Sequence, residues 1–439
     1  MSLRAKRFFA AIAVLLFSYS VSVRAADKGF TKDEKKEFRE YLDQVAAKLT
    51  KNAVKRDQGI SWVSVSRDDK PDESLGFYDG DSGICYFFWK AYAATKESAY
   101  LDTGKQCMSY ILSQAKRDSA GTYFYDDLNG FYEGNSGPAY LFLYAYHVTK
   151  DKQYLQTAED ISARIVAKPD TGPNSSPDII SGAAGTGLFL LKMHDVTKKP
   201  QYLDGAAKLG DFLISTAEPA EQGVKWKIQG DKVTYYFVGF SHGPAGIGYF
   251  LDRLYRATGE AKYKECADKA MEHIESLAIS EKGYVKWVHE ELAQKPSYPS
   301  QWCHGNPGMT PFFLELYART KDKTYLEWAR KNTVYIVDQG VNVRKNGSVC
   351  HGISGNTAAL WVMYKETRDE SYFENVKDGV KLLEATVHKD PDGYSWDSPG
   401  HKVDYSYMTG VAGAGDFLVL LYTNGKLNMM GLLGYGDDI

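Results

Sequence analysis

Seven segments of this 439-residue chain share a Gly-x-x-Gly followed by an apolar run. They are YDGDSGICYFF, YEGNSGPAYLF, ISGAAGTGLFL, SHGPAGIGYFL, CHGNPGMTPFF, CHGISGNTAAL and MTGVAGAGDFL. Their first glycines are Gly80, Gly134, Gly182, Gly243, Gly305, Gly352 and Gly410. In the first six copies a threonine stands fifteen residues past that glycine, at Thr95, Thr149, Thr197, Thr258, Thr320 and Thr367. In the seventh copy Thr423 falls two residues early. A register kept this closely is the mark of a repeat architecture, and it limits the fold before composition is considered.

The repeat reads as a helical hairpin. The run after each Gly-x-x-Gly, as in GPAYLFLYAYHV, is apolar nearly all round, which marks a buried inner helix of about three turns. Glycines at its start let that end crowd its neighbours. The Thr-Lys-Asp stretch supplies turn and N-cap residues, and an amphipathic outer helix such as YLQTAEDISARIVAK follows. The expectation is an all-α (α/α)7 barrel, a toroid of seven inner and seven outer helices. Closure is favoured over an open solenoid because no terminal repeat reads as a polar cap. GVKWKIQGDKVTYYFVGF, GYVKWVHEEL and GYSWDSPGHKVDYSYM run into the next Gly-x-x-Gly and predict short β-hairpins on the rim that holds the inner-helix N-termini. No linker divides the chain after Ala26, so residues 26–439 read as one domain.

Hydrophobic residues make up 44% of the chain, enough for a large core. The net charge of −3 and a pI near 6.3 give no electrostatic support for a nucleic-acid partner. Residues 1–25 read as a secretory signal peptide. Arg4, Lys6 and Arg7 form its basic region, Phe8 to Val21 its apolar stretch, and Val23-Arg24-Ala25 a small-residue cleavage site. The expectation is an exported protein, periplasmic or extracellular, with no stable membrane insertion after cleavage. Of five cysteines, Cys85, Cys107 and Cys266 show no readable pairing.

In a ring, equivalent repeat positions share a rim. The residue before the first glycine is Asp79, Glu133, Ser181, His242, His304, His351 and Thr409 in turn. Capping accounts for Asp, Ser and Thr here, but not for three consecutive histidines. One position further back stand Tyr78, Tyr132, Ile180, Ser241, Cys303, Cys350 and Met408. Thiolates and imidazoles brought to one rim form a zinc-type ligand set. Spacing leaves two layouts open: four ligands, Cys303, His304, Cys350 and His351, in a closed structural site, or three ligands with an open position.

Together these motifs resemble the lanthionine synthetase C-like (LanC) family. Trp-Cys-x-Gly-x-Pro-Gly and Cys-His-Gly in consecutive repeats carry the resemblance, with DIISGAAG and SHGPAGIG as two further motifs in the expected order. It extends over all seven repeats. The resemblance implies one Zn2+ held by Cys303, Cys350 and His351, with the fourth position open to water or a substrate thiolate. It also implies that His304 is not a ligand, that His242 is a general acid/base and that Asp178 assists it. The implied reaction activates a Cys thiol in a peptide, or a small thiol, for addition to a dehydroamino acid, giving a thioether.

Two features depart from the family pattern. Pro299 stands where the bacterial cyclases carry an arginine, four residues ahead of the first cysteine. The N-terminal signal is foreign to cyclases that work in the cytosol, and no dehydratase or kinase domain is attached, so a dehydrated substrate is expected to come from elsewhere. Two other functions fit parts of the sequence. One is a periplasmic glycan hydrolase or lyase using Asp79 and Glu133 as acid and base. The other is a zinc-containing module that only binds a peptide or thiol.

Overall fold

The computed structural model describes residues 28–65, 71–230, 233–342, 345–398 and 403–429. The proposed signal peptide, residues 1–25, lies outside the described residues.

Each Gly-x-x-Gly starts an inner helix. These are α2 (Asp81–Thr95), α4 (Ser136–Thr149), α6 (Ala183–Thr197), α8 (Pro244–Thr258), α10 (Asn306–Thr320), α12 (Ile353–Thr367) and α14 (Val411–Tyr422). Six are followed by their outer partners: α3 (Ser98–Ser113), α5 (Lys152–Ala167), α7 (Pro200–Thr216), α9 (Ala261–Ser276), α11 (Lys323–Gln339) and α13 (Glu370–Ala385). The seventh outer helix comes from the other end of the chain. It is α1 (Lys32–Lys51), which packs on α14, while α14 packs on α2 and closes the ring. The outer partner of α14 is thus already supplied by α1, at the repeat where the register decays at Thr423.

Both glycines answer to close approach. A Cβ on the second glycine would lie 1.8–2.6 Å from the carbonyl oxygen six residues earlier in all seven repeats, from Phe77 O at Gly83 to Tyr407 O at Gly413. Each rim loop is thus folded down onto the first turn of its own inner helix. The constant threonine ends that helix. Its hydroxyl donates to the carbonyl four residues back, as in Thr95 to Ala91 O at 2.7 Å, and accepts the N–H two residues on. The next residue is left-handed, at φ 58–64° for Lys96, Lys150, Lys198, Lys321 and Arg368, and Gly259 takes the same place after Thr258. Asp151, Asp322 and Asp369 then cap the outer helices through their side chains, as the sequence implied.

Two-stranded antiparallel hairpins connect outer helices to the next rim loop. A tryptophan after four of them turns back to the helix just left. Trp62, Trp226, Trp287 and Trp396 donate their indole N–H to Leu49, Leu213, Ile274 and Leu383 O at 2.7–2.8 Å, a separation of thirteen residues each time. Buried apolar residues from both helical layers form one continuous core.

The closure seam is held by more than apolar contact. Lys48 of α1 reaches Asp390 and Asp392 at 2.9 and 2.8 Å, and Phe30 N donates to Asn424 Oδ1 at 2.8 Å. Between α2 and α14, Lys90 and Asp416, both fully buried, lie 3.9 Å apart. Such a pair is costly to desolvate, so its attraction is largely offset by its burial.

Candidate metal and acid/base centre

The rim loops are stitched edge to edge through their backbones. Cys350 N donates to Met408 O, Met408 N to Tyr78 O, Tyr78 N to Tyr132 O, Tyr132 N to Ile180 O, Ile179 N to Ser241 O, and Ser241 N to Cys303 O, all at 2.8–3.0 Å. The column that holds both cysteines in the sequence is therefore a physical ring around the inner-helix N-termini, where free N–H groups add partial positive charge. Its two ends, Cys303 and Cys350, come together.

The N-caps are the first glycines themselves, or Asn135 in the second repeat. This corrects the capping role expected of Asp79, Ser181 and Thr409. Each of these residues sits one position outside the cap, where its side chain is left for the rim.

Cys303, Cys350 and His351 each place a ligand atom within 4.8 Å of the others, the one such group among the described residues. Cys350 Sγ is 3.5 Å from His351 Nε2. Tetrahedral zinc with ordinary bond lengths spaces its ligand atoms by about 3.6–3.8 Å, close to the Cys350–His351 separation, and the thiol and imidazole donors are of the type zinc takes. Both cysteines are buried. Burial pushes the Cys303 thiol well up, and its neighbour Cys350 adds to the rise. Burial acts on Cys350 in the same sense, but the Cys303 S–H, the His351 charge and the Tyr78 hydroxyl outweigh it and hold Cys350 well below the usual thiol range. Tyr78 Oη donates to Cys350 Sγ at 3.1 Å, and Gln301 Oε1 lies 3.6 Å from Cys303 Sγ.

His242 stands on the neighbouring loop, its Nδ1 bonded to Asp178 Oδ2. Asp178 is buried, and its Oδ1 accepts the Ser181 N–H at 2.9 Å. Burial works against a charged His242, but the Asp178 charge and hydrogen bond prevail and raise its pKa above 6.5, with Cys350 and Glu133 adding to the rise. The Asp178 contact occupies Nδ1, so Nε2 is the atom from which His242 can transfer a proton.

His304 lies outside the metal group. Its ring packs on His242 at 5.3 Å, on Phe237 at 5.0 Å and edge-on against His289 at 4.2 Å. Pro299 presents its carbonyl against Gly305. Of the carboxylates in the glycan reading, Glu133 is exposed and Asp79 half-buried. Sequence reasoning missed Tyr78, His289 and Phe237 as members of this site. Tyr78 had a signal, since it shares the cysteine column. Phe237 and His289 lie in the hairpin excursions, outside the repeat register, and had none. The three remaining cysteines are buried or nearly so and sit on the helices: Cys85 donates to Gly104 O at 3.3 Å and Cys107 to Asp81 O at 3.6 Å, tying α2 to α3, while Cys266 lies on α9.

Comparison with known proteins adds four findings. The family described as lanthionine synthetase C-like protein matches residues 71–433. The lacticin 481/lactococcin biosynthesis protein LcnDR2 of Lactococcus lactis subsp. lactis is 25% identical over 297 residues, covering 65% of this chain, and the chain spans only 29% of that relative's length. Among solved structures, nisin cyclase superposes with a TM-score of 0.67 at 15% identity, covering 93% of this chain and 99% of its own. A sugar epimerase from a ruminal bacterium follows at TM-score 0.51 and 14% identity, covering 89% of this chain and 99% of its own. At these identities the structural likenesses show a shared fold.

Proposed function

The chain belongs to the lanthionine synthetase C-like family, and from that premise we propose that it is an exported, zinc-dependent enzyme that adds a cysteine thiol to a dehydroamino acid in a peptide. The observation that carries the reading is the convergence of Cys303, Cys350 and His351 beside the His242–Asp178 pair. A zinc ion held by those three residues would lower the pKa of an incoming thiol and present it as a thiolate.

The chain's own residues account for the remaining requirements. Addition forms a C–S bond at the β-carbon, breaks the C=C π bond and leaves charge on an enolate. The α-carbon then needs a proton, and His242 is built to supply it. Asp178 keeps that imidazole charged and fixes its orientation, so its Nε2–H is the proton donor. The substrate thiol gives up the matching proton on entry, so the balance closes without an oxidant or reductant. The inner-helix N-termini favour negative charge at the rim. His304, packed between His242, Phe237 and His289, forms the wall beside them.

Export rests on the sequence of residues 1–25. Among the described residues no helix is long and apolar enough to cross a membrane.

The test uses the chain from Ala26 onward, loaded with zinc, and a peptide with one dehydroalanine and one cysteine. Cyclisation leaves the mass unchanged, so thiol alkylation and fragmentation read the outcome. The expected result is loss of the free thiol and a fragment-resistant ring, both abolished in His242→Ala with zinc retained. Turnover in zinc-free protein would overturn the mechanism, and its absence with cyclic and intermolecular thiol substrates alike would leave a binding module.

A further inference from the structure

We propose that Tyr78 is a positioning residue for the metal ligand Cys350: its hydroxyl holds the sulfur in the ligating orientation and takes up part of its negative charge. The inference rests on the reading of Cys303, Cys350 and His351 as a metal site.

The contact is specific. Tyr78 Oη lies 3.1 Å from Cys350 Sγ, across 272 residues of sequence and from a different repeat. The phenol is a donor facing a sulfur that is a thiolate whenever it ligates a metal. Little freedom is left to it. Tyr78 N donates to Tyr132 O and Tyr78 O accepts from Met408 N, both at 3.0 Å, so its backbone is fixed from both sides. Its ring packs edge-on against Tyr132 at 6.3 Å. Cys350, in turn, has its own N–H bonded to Met408 O at 2.8 Å. Donor and acceptor are thus set by the same stretch of the rim ring, with Met408 between them.

A hydrogen bond to a ligating thiolate acts in two ways. It fixes the sulfur lone pair that points at the metal, and it lowers the energy of the sulfur electrons. Outer partners of this kind typically account for 10–100-fold in metal affinity. The ring closure thereby becomes part of the metal site: Tyr78 precedes α2, the helix that α14 must meet to complete the toroid. A chain whose ends are not docked is expected to bind metal more weakly even with all three ligands intact.

Cobalt(II) substitution tests this without an activity assay. In the wild type, cobalt should give tetrahedral d–d bands and a thiolate-to-cobalt charge-transfer band. Tyr78→Phe keeps the ring and removes the donor. It should retain the d–d pattern, move the charge-transfer band to longer wavelength and weaken cobalt affinity about 10-fold or more. Unchanged affinity and an unchanged band in Tyr78→Phe would overturn the role of Tyr78 and leave the metal site standing. Loss of an oxygen ligand in the d–d spectrum would overturn it in favour of direct coordination. No cobalt binding by the wild type would overturn the metal site and this inference together. Melting of the metal-free proteins checks that Tyr78→Phe folds. If it does not, growth on 3-fluorotyrosine strengthens the donor without changing its shape. Although the chain has 32 tyrosines, the band reports the one bonded to sulfur. That band should then move to shorter wavelength, and no movement would overturn the proposal.

Discussion

Gly308→Ala should remove the metal and leave the fold. A Cβ at Gly308 would stand 1.9 Å from Trp302 O, 3.0 Å from Trp302 C and 2.8 Å from Phe240 Cβ. The nearest obstacle is backbone, so rotamer changes do not relieve it. Ordinary contact begins at 3.4 Å, so the Trp302 carbonyl must retreat by 3.4 − 1.9 = 1.5 Å. Overpacking of this kind costs about 1–3 kcal/mol. Trp302 is bonded to Cys303, and a metal site tolerates only about 0.2 Å in its ligand distances. The displacement therefore exceeds the tolerance several-fold while the stability cost stays modest. The control is Gly137→Ala at the same register in the second repeat, where the obstacle, Phe131 O, lies at 2.6 Å and the retreat is 3.4 − 2.6 = 0.8 Å. Urea denaturation of the metal-free proteins and zinc counting by mass spectrometry are the assays. Gly308→Ala is expected to lose zinc and Gly137→Ala to keep it. Full zinc occupancy in Gly308→Ala, or unfolding midpoints equal to the wild type, would refute the claim that the second glycine seats the cysteine loop.

Other perturbations probe other parts of the account. Asp178→Asn removes the charge that keeps His242 protonated, so burial should prevail and the imidazole should titrate lower. In the wild type the charged pair stabilises fully below 6.5, and the contribution is lost as pH rises through the raised folded value. Melting temperatures between about pH 5 and 9 should show that slope flattened in Asp178→Asn, and turnover should fall off at lower pH. Lys198 is exposed and left-handed at φ 59°, so Lys198→Gly should raise stability by about 0.5–1 kcal/mol in urea denaturation. A chain starting after Lys51 lacks the outer partner of α14, and size-exclusion chromatography should find it aggregated rather than monomeric.

The repeat was legible because its marks are steric. Seven glycine pairs lie under seven carbonyls, and six threonines end six helices, so the same residues recur wherever the same contact does. The cysteine column was legible for a related reason: the residues before the glycines form one hydrogen-bonded ring, so sequence register becomes spatial neighbourhood. The source of the seventh outer helix was not legible. KDEKKEFREYLDQVAAKLTK carries no repeat mark, and only the docking of α1 against α14 reveals its place. The side of the rim each polar residue faces was also hidden, because capping depends on whether the glycine or its predecessor starts the helix. The imidazole wall depends on Phe237 pairing with Glu290 across two excursions, a long-range contact that no local pattern announces.

The central claim is that the doubled Cys-His-Gly supplies three ligands, not four. Zinc per chain, measured on the purified protein and on Cys303→Ser, Cys350→Ser, His351→Ala and His304→Ala, tests it most directly. The account predicts one zinc in the wild type and in His304→Ala, and none or little in the other three. Full zinc in Cys303→Ser, or its loss in His304→Ala with the fold intact, would contradict it.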